Sequence, residues 1–162
     1  MSDDAASAQH PRRRETPDER ADRNWLEVLQ ELRVLQTGTQ ILTGFLLALA
    51  FQPAFADLDP GQKALYLVLI ALSALSAVIA LAPVAAHRVL FRTGAKASIV
   101  TAGHVCLSAA LAIVSLLLAG VVGFVFDVVI GSPAGWIAGG SLAAVAVAGW
   151  VVAPLTFRAR RR

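Results

Sequence analysis

Asp127 and His104 are the ionisable side chains that fall within a long apolar run of this chain. Titratable groups surrounded by hydrocarbon are costly there, so they mark where proton or cation coupling would occur. A carboxylate can alternate between a proton and a cation. An imidazole can relay a proton, and beside His87 and Arg88 it can hold an anion. Each has a plainer reading. Asp127 precedes a Gly131-Ser132-Pro133 turn, where an interfacial Asp is ordinary, and His104 suits a helix end, bonded to a neighbour or to a lipid phosphate. Depth bears on the choice. The two residues are 23 positions apart, about 35 Å of helix against a hydrocarbon core of about 30 Å, so they sit near opposite head-group layers. The other three apolar runs have no Asp, Glu, Lys, Arg or His in their central portions.

A second candidate is uncharged. Gln36, Gln40 and Thr43 are spaced by four and three, which places them on one helical face as a polar stripe inside the first apolar run. Such side chains can line a path for a small solute, but more often they bond helix to helix. His87 and His104 have no companion Cys or carboxylate at ligand spacing, so no metal site is expected. The single Cys106 excludes an intrachain disulfide and reads as an inert thiol within an apolar run. There is no nucleotide loop, no Ser/His/Asp set in register and no zinc-protease helix. Catalytic residues, a cofactor site and enzymatic activity are therefore not expected.

The elements that must position these residues follow from composition. The 162-residue chain is 57% apolar and 15% charged, with mean hydropathy +0.67, outside the range of soluble domains. Four apolar runs are long enough to cross a bilayer, and the reading is an all-α polytopic membrane protein. Its domains are a disordered cytoplasmic tail over 1–15, an amphipathic helix over 16–33, a four-helix transmembrane bundle over 34–157 and a basic cytoplasmic tail over 158–162. The crossings fall at about 34–55, 64–86, 99–127 and 133–154. Threading them puts every Lys and Arg except Lys63 on one side, and short basic loops stay in the cytoplasm. Both termini are then cytoplasmic, in a bacterial inner membrane. The pI near 9.8 reflects this topology and not a nucleic-acid surface.

Local signals support the boundaries. Thr16-Pro17-Asp18-Glu19 reads as a capping box with proline at the first helical position. Trp25, Val28, Leu29, Leu32 and Leu35 then share a face opposite Arg23, Glu27, Gln30 and Glu31. Whether this helix continues into the first crossing is left open, with Gly38 able to permit a bend. If it does continue, Gln36, Gln40 and Thr43 extend the Trp25 face. Ser132-Pro133 reads as cap and first residue of the last helix, which Pro154 closes; Trp136 and Trp150 mark the aromatic belts. Helix association must rest on small residues, among them Gly135 and Gly139, Gly140 with Ala144 and Ala148, Ala119 with Gly123, and Ser73 with Ala77. A rival threading takes residues 41–56 as a signal-peptide core with an Ala54-Phe55-Ala56 cleavage site. Some forty preceding residues argue against it.

The strings Glu31-Leu32-Arg33-Val34-Leu35-Gln36-Thr37-Gly38 and Ala82-Pro83-Val84-Ala85-Ala86-His87-Arg88-Val89-Leu90-Phe91-Arg92 resemble an uncharacterised actinobacterial family of small integral membrane proteins. It is a domain of unknown function, and the similarity covers most of the chain after the tail. The resemblance implies a four-span membrane protein and no activity. Some members carry a sodium:proton antiporter label, yet this sequence has no central carboxylate for such exchange and no paired repeats with interrupted helices. The functional expectation is a non-enzymatic accessory or interaction protein. The alternative is a small oligomeric ion-coupled transporter using the Gln36/Gln40/Thr43 stripe with Asp127 or His104. Expected partners are the lipid bilayer, anionic lipid at the basic loop and tail, and a second copy or another membrane protein.

Overall fold

The computed structural model describes residues 16–90 and 96–160. The 1–15 tail, Arg92, Arg161, Arg162 and the His87 side chain lie outside the described residues. Helix α1 spans Pro17–Leu49 and opens with the capping box: the Glu19 amide donates to Thr16 Oγ1 (3.2 Å), and the Thr16 amide donates to Glu19 Oε2 (2.8 Å). It runs through Gly38 without a break, so the Trp25 segment and the first membrane-length stretch are one rod. The helix ends at Leu49, not at residue 55; Pro53–Phe55 form a short 3-10 turn. Helix α2 spans Pro60–Leu90 and passes through a buried Pro83. Helix α3 spans Lys96–Val129 and helix α4 spans Ser132–Val147. No strand occurs among the described residues.

Two details of α4 differ from expectation. Its cap is Gly131, at φ 127°, with Ser132 already helical and no side-chain cap. Only glycine adopts that backbone readily, so the turn is set by Gly131 and not by the Ser132 hydroxyl. Nor does Pro154 close the helix. A π-helical stretch over Ala148–Val152 leads directly into α5, Ala153–Arg160. A proline inside a helix removes one hydrogen bond and crowds the carbonyl a turn earlier; widening that turn lets the chain continue.

Among the described residues, four helices are long and apolar enough to cross a membrane: Glu19–Leu49, Pro60–Ala86, Val100–Val129 and Ser132–Thr156. Helices α1, α2 and α3 pack against one another, whereas α4 packs on α3 alone to any substantial extent. Helices consecutive in the chain run antiparallel, so α1 and α3 lie parallel. Near the Arg88 end, Val28, Leu32, Ala80 and Ala110 form one cluster; near the Asp127 end, Leu46, Tyr66, Leu69, Leu117 and Phe124 form another. Hydroxyls of Thr39, Ser73 and Ser76 are buried along α1 and α2. Thr39 Oγ1 donates to the Leu35 carbonyl (2.8 Å) and Ser73 Oγ to the Ile70 carbonyl (2.9 Å), each within its own helix. They are thereby satisfied without a partner helix, and their small size lets backbones approach.

The Asp127 end is fastened by a buried tyrosine. Tyr66 Oη donates to the Leu46 carbonyl (3.0 Å), one of the last four carbonyls of α1, which lack an ordinary helical partner. Phe55 stands edge-on to the Tyr66 ring, with centroids 4.9 Å apart, so the 3-10 turn is drawn down onto the helices.

Candidate functional site

The α3–α4 contact is made by backbone. A Cβ on Gly135 would lie 2.8 Å from the Gly123 carbonyl oxygen and 2.8 Å from Asp127 Cβ; one on Gly139 would lie 3.0 Å from the Ala119 carbonyl oxygen. Two helices brought this close at Gly123, Gly135 and Gly139 leave little side-chain bulk on the adjoining surface. Since α4 has no comparable contact with α2, a groove of about 650 Å³ remains between them. Its floor is Leu116, Ala119, Gly120 and Gly123 of α3. Gln62 and Leu65 of α2 form one wall, and Trp136, Gly140 and Ala143 of α4 form the other. From Leu116 to Asp127 it follows twelve residues of α3, about 16 Å of helix.

Polar groups stand at one end of this groove. Asp59 caps α2 by accepting the Gln62 amide on Oδ1 (2.9 Å), and the Asp59 amide donates to Gln62 Oε1 (3.1 Å). With Pro60 as first helical residue, this repeats the device that starts α1. Gln62 then uses its remaining group across the groove: Nε2 donates to Asp127 Oδ2 (3.0 Å). One side chain thus joins the start of α2 to the end of α3. Asp59 is exposed and Asp127 half-buried. Neither carboxylate has a basic partner among the described residues, for Lys63 Nζ donates to the Ala56 carbonyl instead (3.0 Å). Trp136, 80% exposed, completes the groove wall at this end.

The residues singled out from sequence are distributed differently. Asp127 lines the groove. His104 and Arg88 are exposed, with no bond joining them, and no group of three His, Cys, Asp or Glu gathers to hold a metal ion among the described residues. Cys106 is a half-buried free thiol. On α1 the buried positions are Trp25, Val28, Leu32, Thr39 and Leu46, spaced by three, four, seven and seven. That places Gln40 outside the packed face: it is exposed, while Gln36 and Thr43 are half-buried. Thr43 Oγ1 donates to the Thr39 carbonyl (2.7 Å), whereas neither glutamine amide has a hydrogen-bond partner among the described residues. Among the described residues the stripe therefore makes no hydrogen bond from α1 to α2 or α3. The face shifts because packing follows a seven-residue repeat that selects Thr39, one position before Gln40. Gly140 is likewise free of close contacts and belongs to the groove wall, while Gly135 and Gly139 form the helix contact.

Sequence reasoning missed Asp59, Gln62 and Trp136 as one set. The signal for the first two was legible as Asp59-Pro60-Gly61-Gln62, the same cap-proline pattern recognised at Thr16.

Fold and groove together define an all-helical protein with four membrane-length helices and a small-residue groove ending at two carboxylates. The chain belongs to a family of unknown function, DUF6328, which matches residues 14–154. No curated protein and no solved structure matches it.

Proposed function

We propose that this chain is a non-enzymatic, multi-pass protein of a bacterial inner membrane that receives an apolar guest from the bilayer, acting as an accessory or interaction component. The observation that carries this reading is the groove between α2 and α4: about 650 Å³, walled by small and apolar residues, with a few polar groups gathered at one end. That combination is typical of sites for small molecules. Because α2 and α4 have no substantial contact, the groove is open sideways, which in a bilayer means open to lipid. The basic residues at the Arg88 end orient this end toward the cytoplasm, so the Asp127 end faces outward.

Placement is tested with single cysteines in a Cys106→Ala background. Asp57→Cys and Ser132→Cys in intact cells should react with an impermeant maleimide, and Arg88→Cys should react only after permeabilisation. The opposite pattern overturns the threading. For the groove, native mass spectrometry of protein released from maltoside micelles should find one apolar adduct per chain, absent from Gly140→Phe. Gly140 lines the groove and a Cβ there meets nothing within 4 Å, so the substitution adds bulk beside the groove with no clash at Cβ. Equal adducts on both proteins would remove the groove as the site. Solute-dependent flux through reconstituted vesicles that falls on Asp127→Asn would replace this reading with an ion-coupled transporter.

A further inference from the structure

The groove has a chemical polarity that selects its guest. Along Leu116, Ala119, Gly120, Gly140 and Ala143 it offers only hydrocarbon and backbone. At its end stand two formal negative charges, Asp59 and Asp127, without a basic partner among the described residues, and the Trp136 indole. A carboxylate pair without a basic partner beside an apolar groove attracts a cation brought alongside it and repels an anion. An indole face adds attraction for an ammonium group, strongest where the cation is already desolvated.

Resting on the reading of the groove as a binding site, we propose that its ligand is a lipophilic ammonium cation: an alkyl chain ending directly in a positively charged nitrogen. The chain lies on the α3 floor and the nitrogen sits among Asp127, Asp59 and Trp136. Competing amphiphiles fit less well. An anionic head group meets two carboxylates of like charge. A phosphatidylethanolamine places its phosphate between the acyl chains and the ammonium, level with those carboxylates, and Lys63 of α2 donates to the Ala56 carbonyl. A neutral amphiphile leaves both charges uncompensated.

The probe is radiolabelled dodecyltrimethylammonium, with dodecanol as its uncharged counterpart, measured by equilibrium dialysis against the full chain in maltoside micelles. The expected result is one saturable site for the ammonium, with affinity at least about tenfold lower in Asp127→Asn. Asparagine still accepts the Gln62 hydrogen bond, and an unchanged thermal midpoint checks that the fold is intact. Gly140→Phe should abolish the site. If dodecanol competes as well as the ammonium and Asp127→Asn binds normally while Gly140→Phe does not, the groove stands as a site and the ammonium assignment fails. If Gly140→Phe binds as the parent does, or if no saturable binding is seen, both fail.

Discussion

Replacing Gly135 by valine is expected to detach α4 from α3 and to cost about 3 kcal/mol, the upper part of the range for overpacking. The obstruction is backbone, since the new Cβ would come within 2.8 Å of the Gly123 carbonyl oxygen, and a carbonyl in a helix cannot swing aside as a flexible side chain does. Its second obstacle is Asp127 Cβ, also at 2.8 Å, so relief would disturb the carboxylate at the groove end. Among helices α1–α3, only α3 packs substantially on α4, so little other contact compensates for this loss. In a bilayer the detached helix exchanges protein for lipid at little hydrophobic cost, so the close backbone contact accounts for much of its attachment. Gly140→Val is the matched control: the same substitution five residues on, where nothing lies within 4 Å. The thermal midpoint in maltoside micelles should fall for Gly135→Val and stay within error for Gly140→Val, and proteolysis near Gly131 should accelerate only in the first. Equal behaviour of the two variants would contradict the contact.

The second large effect is expected at Gln62. Changing it to leucine removes the acceptor of the Asp59 amide and the donor to Asp127 at once. The Asp59 side chain still caps the residue-62 amide, so what is lost is the reciprocal half of the capping box, about 0.5–1 kcal/mol, and a hydrogen bond to a charged group, a comparable or larger amount; about 2 kcal/mol is expected in all. Asp127→Asn should cost much less, since its amide oxygen still accepts from Gln62 Nε2. Asp127→Ala removes the same bond from the other side, so the Gln62→Leu/Asp127→Ala double variant should lose less than the sum of its two single losses, because the Gln62–Asp127 bond can be removed only once. Additive losses, measured by chemical or thermal unfolding in one micelle system, would show that the bridge contributes nothing.

The reach of the sequence varied with the kind of signal. Capping is local: Thr16 and Glu19 lie one helical turn apart, and their residue types suffice to place the start of α1. The same rule would have found Asp59 and Gln62. Helix ends marked by proline were less legible. Pro154 is followed by helix, because a π turn over Ala148–Val152 accommodates it, and Pro83 lies buried inside α2. A proline fixes its own φ and removes one donor; whether the helix stops there depends on what packs around it.

Faces were the least legible property. Small residues at four-residue intervals offered several stripes on α4, all chemically alike, and the chain uses Gly135 and Gly139 against α3 while Gly140 lines the groove. On α1 the choice between Thr39 and Gln40 is a rotation of one residue, decided by where α2 and α3 lie.

By itself, then, the sequence determined that there are four membrane-length helices, where α1 begins, and on which side of each apolar run the basic residues accumulate. These are properties of contiguous segments, written in hydropathy, cap residues and charge. Only the tertiary structure decided that α1 is one unbroken rod with Thr39 inward and Gln40 outward, that α4 attaches to α3 alone, and that Asp59, Gln62, Asp127 and Trp136 surround one end of a groove. Residue 62 meets residue 127 across 65 positions, and Gly135 meets Gly123 through a turn closed by the positive φ of Gly131. Such meetings depend on which face each helix presents to its neighbours. In a membrane that choice is made by close packing among nearly equivalent apolar surfaces, and no single segment encodes it.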